Sequence, residues 1–220
     1  MNNVKQAMCL YAITDRTWLN GRSLQDQVEQ ALKGGATCIQ LREKELDEDT
    51  FLTEAKVIRD LCQDYKVPFI INDNVKLARE VGADGVHVGQ SDMPVAEVRK
   101  SIGQGKIVGV SAQTVEQAVQ AEKEGADYLG VGAVFSTSTK LDANHISKKV
   151  LKDICQAVHI PVVAIGGITK QNMLELTGTQ VSGVALVSAI FASNNIEENT
   201  RDLLELSKQL INKGERQECR

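Results

Sequence analysis

The sequence contains no long apolar run, no excess of basic residues and no closely spaced cysteine pair. No stretch approaches the 18 or more apolar residues of a membrane-spanning helix, and the first 14 residues hold one lysine and no sustained apolar region. We therefore expect neither export nor a membrane association. Lysine and arginine total 25 against 29 aspartates and glutamates, a balance that argues against nucleic acid as a partner.

Signatures that would indicate other protein classes are also missing. The five cysteines are scattered and odd in number, which argues against a disulfide framework or a zinc site and fits reduced thiols in the cytoplasm. There is no H-E-x-x-H helix and no G-x-S-x-G elbow, and "GVGAVF" at 130–135 lacks the spacing of a dinucleotide loop. These absences disfavour triad hydrolysis and hydride transfer.

Apolar runs alternate with stretches of helical periodicity along the chain. The predicted strands are 9–14, 37–42, 68–72, 85–89, 106–111, 128–135, 161–167 and 183–190, and the predicted helices are 23–35, 47–65, 75–83, 93–102, 114–126, 147–158, 169–178 and 196–211. Ser23, Asp47, Thr114 and Thr169 are candidate N-caps. This rhythm favours an α/β fold, a single (β/α)8 TIM barrel, over an open doubly wound sheet. With only three prolines and no linker, residues 1–213 are predicted to form one barrel domain, followed by a polar tail at 214–220.

Polar side chains follow most of the predicted strands. In parallel α/β folds, ligands bind at the C-terminal ends of the strands, so these side chains are expected to share one site. Arg42, Lys44 and Lys140 supply positive charge, whereas Asp73 and Asp92 supply carboxylate oxygens. That mixture suits a diphosphate bound partly by Arg and Lys and partly through Mg²⁺, which favours one or two carboxylates plus substrate oxygens.

Each of these residues also has a structural interpretation. Arg42 and Lys44 could pair with neighbouring carboxylates as a purely structural network. Asp73 could instead cap the helix that follows it. His87, in "GVHVG", fits a packed, hydrogen-bonded strand residue better than a substrate contact. Glu43 alternates to the opposite side of its extended segment, and we assign it a structural role.

A second anion site is predicted at the same end of the barrel. The phrase "AIGGIT" joins a glycine pair, Gly166 and Gly167, to the predicted start of a helix near Thr169, and Ser188 lies in the predicted eighth strand. Barrels often bind a monophosphate at the loops after strands seven and eight, where backbone N–H groups face the anion. Two phosphorylated substrates would occupy both sites.

Taken in order, the strand-end segments resemble the thiamin phosphate synthase family. The matching phrases are "YAITD" (11–15), "QLREK" (40–44), "IND" (71–73), "HVGQSDMP" (87–94), "GVSAQT" (109–114), "FSTSTK" (135–140), "AIGGI" (164–168) and "VALVSAI" (184–190). The resemblance implies a (β/α)8 transferase with Mg²⁺ as cofactor. One departure is that Ala133 and Ser136 stand where the family commonly has prolines.

The resemblance also implies a role for each matching residue. Gln40 would face the aminopyrimidine, and Asp73 and Asp92 would bind the magnesium ion. The implied diphosphate ligands are Arg42, Lys44, Asn72 and Lys140, with Ser111 near both diphosphate and pyrimidine. The implied contacts of the thiazole phosphate are Thr137, Thr139, Gly167 and Ser188, with Val187 beside them. Arg42, Lys44, Ser111 and Lys140 are the expected catalytic residues.

The implied reaction condenses 4-amino-5-hydroxymethyl-2-methylpyrimidine diphosphate with 4-methyl-5-(2-hydroxyethyl)thiazole phosphate, or its carboxylated form, giving thiamin phosphate and diphosphate. Loss of diphosphate leaves a carbocation-like centre that the thiazole nitrogen attacks, so the step depends on stabilising the charge of the leaving group. Two alternatives stay open: a thiazole tautomerase paralogue, which needs no magnesium diphosphate site, and a non-catalytic phosphate-binding barrel. The sequence makes no prediction of the oligomeric state.

Overall fold

The computed structural model describes residues 2–136 and 145–218. Within them, eight parallel strands close into a barrel in chain order, and β8 pairs with β1. Their bounds are β1 Leu10–Ile13, β2 Cys38–Leu41, β3 Phe69–Asn72, β4 Gly85–Val88, β5 Ile107–Ala112, β6 Tyr128–Gly132, β7 Val162–Ile165 and β8 Gly183–Leu186. The predicted (β/α)8 barrel is confirmed, because an open sheet would leave two strands without a second neighbour.

Helices alternate with the strands as predicted except between β7 and β8, and an unpredicted short N-terminal helix precedes β1. The helices are α1 Asn2–Ala7, α2 Leu24–Lys33, α3 Glu48–Asp64, α4 Val75–Glu80, α5 Val95–Ile102, α6 Val115–Lys123, α7 Lys148–Ala157, α8 Ser188–Phe191 and α9 Ile196–Glu218. Ser23, Asp47 and Thr114 cap α2, α3 and α6 as predicted, each accepting a hydrogen bond from the backbone amide three residues on. None of the helices in the described ranges is both long and apolar enough to cross a membrane.

The prediction of a helix over 169–178 was wrong. The segment contains only one 3-10 turn, Met173–Leu176, and Thr169 does not act as an N-cap. Its amide donates to Asn172 Oδ1 at 2.7 Å, and Asn172 Nδ2 donates to the carbonyl of Gly167 at 2.9 Å. These bonds between an asparagine side chain and the backbone replace those that a helix would make.

Two element ends also differ from the prediction. β8 ends at Leu186, so Ser188 is the first residue of α8 rather than a strand residue. The intervening Val187 has φ −114° and ψ −89°, which interrupts the extended conformation. At the C-terminus, α9 continues to Glu218, so residues 214–218 extend the last helix past the expected boundary at 213. The sequence there, "GERQE", is rich in strong helix formers.

The barrel buries two separate apolar layers. One lies between the strands and the surrounding helices and includes Leu129. The other fills the barrel interior and includes Tyr11, Ile70 and Tyr128. Successive residues such as Tyr128 and Leu129 therefore point to opposite sides of the sheet, which is the period of two that strand geometry imposes. The side chains that share the interior with this smaller cluster are the ones that can reach the mouth of the barrel.

Two glycines inside strands make room for large interior side chains. A Cβ on Gly109 of β5 would lie 2.1 Å from Cζ of Tyr128, and a Cβ on Gly130 of β6 would lie 3.1 Å from Cε1 of His87. Close approach of a neighbouring group is a physical reason for glycine within a strand. These two positions therefore set where the Tyr128 and His87 rings lie.

We expect Gly109→Ala to lower the free energy of unfolding by about 1–3 kcal/mol, because the added methyl group overlaps a fully buried ring. Urea unfolding at neutral pH measures this loss. Gly214→Ala in α9 is the matched control, since nothing lies within 4 Å of the added carbon and alanine favours a helix. Equal unfolding free energies in the two variants would contradict this packing role for Gly109.

Candidate active site

The register of the barrel brings several of the predicted site residues to one rim. Gln40, His87 and Ser111 are the second-to-last residues of β2, β4 and β5, and Asn72 is the last residue of β3. Asn72 lies directly beside His87 in the pairing of β3 with β4. Because all eight strands are parallel, their C-terminal ends form a single mouth. The structure therefore places Gln40, Asn72 and Ser111 at the same end of the barrel.

The two predicted cations that fall within the described residues are both paired with carboxylates. Lys44 Nζ lies 3.0 Å from Asp73 Oδ2, which also accepts a 2.6 Å hydrogen bond from Asn72 Nδ2. Arg42 Nη1 lies 3.3 Å from Oδ2 of Asp15, a residue in the loop after β1 that was given no role from the sequence. Lys44, Asn72 and Asp73 thus form one polar cluster on the loops after β2 and β3.

The backbone of Asp73 shows whether this residue caps the following helix. The residue that caps α4 is Asn74, whose side chain accepts a hydrogen bond from the amide of Leu77 at 2.9 Å. Asp73 precedes that cap and has φ +60°, a left-handed conformation that aspartate and asparagine tolerate better than most residues. The helix-cap interpretation of Asp73 was therefore wrong, and its carboxylate remains beside Lys44 and Asn72.

Asp73 and Asp92 are carboxylates, the residue type that Mg²⁺ binds, and they follow neighbouring strands. Asp92 follows β4, the strand next to the one that carries Asp73, and its Oδ2 accepts a 2.7 Å hydrogen bond from the amide of Gly89. Mg²⁺ characteristically takes one or two carboxylates and completes its shell with phosphate oxygens and water. No group of three or more His, Cys, Asp or Glu side chains in the described ranges could hold a metal by itself.

The predicted phosphate side of the mouth differs in part from expectation. Gly166 and Gly167 have φ of +96° and +64°, and a Cβ on Gly167 would lie 2.3 Å from the carbonyl oxygen of Ser136. The glycine pair is thus needed for packing against the loop after β6, whatever else it binds. Ser188 begins α8, where the first amides of a helix have no partner within the helix. The predicted residues Thr137, Thr139 and Lys140 lie outside the described residues.

A continuous chain of hydrogen bonds crosses the barrel interior between two predicted site residues. Gln40 Nε2 donates to the Tyr11 hydroxyl at 2.7 Å, and that hydroxyl lies 2.8 Å from the hydroxyl of Tyr128. Tyr128 Oη lies 2.9 Å from His87 Nδ1, and His87 Nε2 lies 3.0 Å from Ser111 Oγ. The interpretation of His87 as a packed, hydrogen-bonded strand residue fits these contacts.

Tyr11 and Tyr128, the two tyrosines in this series of hydrogen bonds, keep their hydroxyl protons across the physiological range. Burial raises the pKa of Tyr11 and of Tyr128 well above the usual value for tyrosine. The sequence analysis assigned neither residue a role, although a signal was present. Both tyrosines occupy strand positions whose side chains point into the barrel. Tyr128 of β6 is paired with Gly109 of β5, which has no side chain.

The loop after β2 is attached to the loop after β1 by a partly buried ion pair. Arg16 Nε donates to Glu43 Oε2 at 2.8 Å, and its Nη2 donates to Glu54 Oε2 at 2.5 Å. The Glu43 side chain is only 3% exposed, and its Oε1 has no hydrogen-bond partner among the described residues. Burial raises the pKa of Glu43 despite the opposing effect of Arg16. These contacts agree with the structural role assigned to Glu43.

We expect Glu43→Gln to become progressively more stable relative to the wild type as the pH rises. A carboxyl group whose pKa is raised by folding favours the folded state at low pH, and this contribution is lost as the pH rises through the raised pKa. The difference in melting temperature between variant and wild type should therefore increase from about pH 4.3, the ordinary pKa of glutamate, towards neutral pH. Glu45→Gln, on the exposed part of the same loop, should follow the wild type. A difference that shrinks with rising pH would contradict the raised pKa.

Comparisons with known proteins identify the family and agree with the fold. The sequence profile of the family described as thiamine monophosphate synthase matches residues 10–190. The thiamine-phosphate synthase of Ruminiclostridium cellulolyticum is 50% identical over 197 residues, which cover 90% of this chain and 94% of that protein. The thiamine-phosphate synthase of Clostridium botulinum is 46% identical over 196 residues, covering 89% and 92% respectively.

A solved structure gives the same result in three dimensions. The thiamine phosphate pyrophosphorylase from Pyrococcus furiosus superposes with a TM-score of 0.87 at 38% identity, covering 94% of this chain and 99% of that chain. The chain therefore belongs to the thiamine monophosphate synthase family, and the expected family, barrel fold and transferase class are confirmed.

Proposed function

We propose that this chain joins 4-amino-5-hydroxymethyl-2-methylpyrimidine diphosphate to 4-methyl-5-(2-hydroxyethyl)thiazole phosphate, releasing diphosphate and forming thiamin phosphate. With the carboxylated form of the thiazole phosphate, carbon dioxide is released as well. The observation that carries the proposal is the cluster of Lys44, Asn72 and Asp73 at the mouth of the barrel. It combines a cation and an amide donor that each lie within hydrogen-bonding distance of the same carboxylate. A magnesium diphosphate requires these same three kinds of group.

The Lys44–Asp73 pair suggests how such a ligand would bind. Without substrate, each charged group neutralises the other across 3.0 Å. A phosphate oxygen would take the place of Asp73 beside Lys44, and Asp73 and Asp92 would hold Mg²⁺. When bound, Mg²⁺ would neutralise charge on the diphosphate as a Lewis acid. Both charged side chains would thereby exchange one partner of opposite charge for another.

The proposed chemistry separates the pyrimidine CH₂ group from the diphosphate before the thiazole nitrogen attacks. Arg42, Lys44 and Lys140 would stabilise negative charge as it develops on the leaving group, and Asn72 would add a neutral donor. Preorganised donors of this kind act most strongly where charge appears in the transition state. Ser111 would contact the pyrimidine and the diphosphate, and Gln40 would orient the pyrimidine ring.

The thiazole phosphate would bind at the opposite side of the mouth. Its proposed contacts are Thr137, Thr139, Gly167 and Ser188, with Val187 beside the ring. The left-handed backbone of Gly167 and the first amides of α8 support an anion at this position.

We further propose that residues 1–213 form the catalytic domain. The scattered cysteines favour the cytoplasm as its location.

The test is an assay of the purified chain with both substrates and Mg²⁺, following diphosphate release and the mass of the product. We expect stoichiometric thiamin phosphate and diphosphate, and loss of both when Mg²⁺ is chelated. Isomerisation of a thiazole phosphate without any condensation product would instead identify a tautomerase and overturn the proposal.

A further inference from the structure

We propose that Tyr11, Tyr128 and His87 are positioning residues that set the hydrogen-bonding character of Gln40 and Ser111, and through them the choice of pyrimidine. This inference rests on the proposed function, because it takes Gln40 and Ser111 as substrate contacts. The chain of bonds joins residues from five strands, β1, β2, β4, β5 and β6. None of the three positioning residues itself needs to touch the substrate.

The direction of every bond in the chain follows from the first one. Gln40 donates through Nε2 to the hydroxyl of Tyr11. A phenol carries one hydrogen, so Tyr11 can accept this bond and donate its own proton to Tyr128. Tyr128 in turn donates to His87 Nδ1, which leaves the ring proton of His87 on Nε2.

The far end of the chain is determined in the same way. His87 donates from Nε2 to Ser111 Oγ, so the serine hydroxyl keeps its own proton for another partner. The carbonyl of Ser111 is held separately by Gln90 Nε2 at 2.7 Å. Ser111 therefore acts as a donor towards the mouth, while Gln40, whose Nε2 bonds Tyr11, keeps its Oε1 as an acceptor. The two ends are coupled, because reversing one requires reversing every bond between them.

This polarity matches an aminopyrimidine and opposes its oxo analogue. A ring amino group donates to an acceptor such as Gln40 Oε1, and the adjacent ring nitrogen accepts. An oxo group in place of the amino group exchanges both roles, since its oxygen accepts and the neighbouring ring nitrogen carries the proton. A buried donor that faces another donor, or an acceptor that faces another acceptor, loses its hydrogen bond and is desolvated without compensation. This cost gives strong selectivity.

The surrounding packing holds the chain in one geometry. Gln40 is 2% exposed, Tyr11 is 1% exposed and Tyr128 is fully buried, so water has little access to the bonds among these three, whereas His87 and Ser111 are partly exposed. The rings of Tyr11 and Tyr128 meet edge to face with centroids 5.8 Å apart. Gly109 and Gly130 leave the space that the Tyr128 and His87 rings fill. A tyrosine-to-phenylalanine change therefore removes a link with little change in shape.

The first experiment needs no substrate. Nitrogen-15 NMR of the ligand-free wild type reports which ring nitrogen of His87 carries a proton, and the chain has only three histidines to assign. We expect a proton on Nε2 alone, and a mixture of tautomers in Tyr128→Phe. A proton on Nδ1 in the wild type would overturn the proposed direction.

The second experiment measures kcat/KM for the aminopyrimidine diphosphate and for the analogue that has an oxo group in place of the amino group. In Tyr11→Phe and Tyr128→Phe, Gln40 can rotate its amide, so the preference for the amino compound should fall by about tenfold or more. Tyr65→Phe, at the end of α3 outside the barrel, is the matched control and should retain the preference. Equal slowing of both substrates in Tyr11→Phe and Tyr128→Phe would overturn the positioning role. A wild type that forms no product would overturn the proposed function. The NMR result would still decide the direction of the hydrogen bonds between Gln40 and Ser111.

Discussion

Lys44→Gln should lower kcat/KM for the condensation by about 10²–10³-fold, the usual cost of removing one preorganised electrostatic donor. Lys44 lies 3.0 Å from Asp73 and 56% of its side chain is exposed, so it is held in place but can reach a ligand in the mouth. Glutamine keeps much of the length of the side chain and removes the charge. Because the lost contact is strongest in the transition state, kcat should fall more than KM rises.

Lys76→Gln is the matched control for this change. Lys76 also forms an exposed pair with a carboxylate, Glu48, at 3.3 Å, but the pair joins the outer helices α3 and α4. Exposed pairs contribute roughly 0–1 kcal/mol, so both variants should unfold close to the wild type. Only Lys44→Gln should lose activity. An equal loss of activity in the two variants, or in neither, would remove Lys44 from the diphosphate site.

Asp73→Asn should raise the magnesium concentration needed for half-maximal activity by at least about tenfold. Even residues outside the first coordination shell contribute about 10–100-fold to metal affinity, so loss of a ligand should cost no less. Asparagine tolerates the φ of +60° at this position and can still accept hydrogen bonds from Lys44 and Asn72. The change therefore removes charge while leaving the local backbone intact. A magnesium titration of the initial rate measures the effect.

Asp153→Asn provides the comparison for the magnesium titration. Its side chain is 38% exposed against 34% for Asp73, and it also pairs with a lysine, Lys149, but on the outer helix α7. The control should retain the magnesium dependence of the wild type. Asp92→Asn should behave like Asp73→Asn if both carboxylates bind the ion. An unchanged magnesium titration in either site variant would remove that residue from the proposed metal site.

The order of elements and the position of the mouth could be read from the sequence. Most strands are short apolar runs followed by polar residues, and several helices combine helical apolar spacing with a capping residue, so the pattern is local. Gln40, Asn72 and Ser111 were predicted to share one end of the barrel because parallel strands end on the same side. The wrong predictions concerned single short segments. The sequence analysis took 169–178 for a helix because its apolar spacing resembles one, and Asn172 bonds the backbone there instead.

By itself, then, the sequence determined the barrel and the position of Gln40, Asn72 and Ser111 at its mouth, since strand alternation and strand ends are properties of neighbouring residues. Tertiary structure decided which side chains meet across the barrel. Tyr11 and Tyr128 are 117 residues apart, yet their hydroxyls lie 2.8 Å from each other. Likewise, Arg42 pairs with Asp15, and Gly167 packs against Ser136. No local pattern encodes these pairs, because they depend on barrel closure and on the register between distant strands.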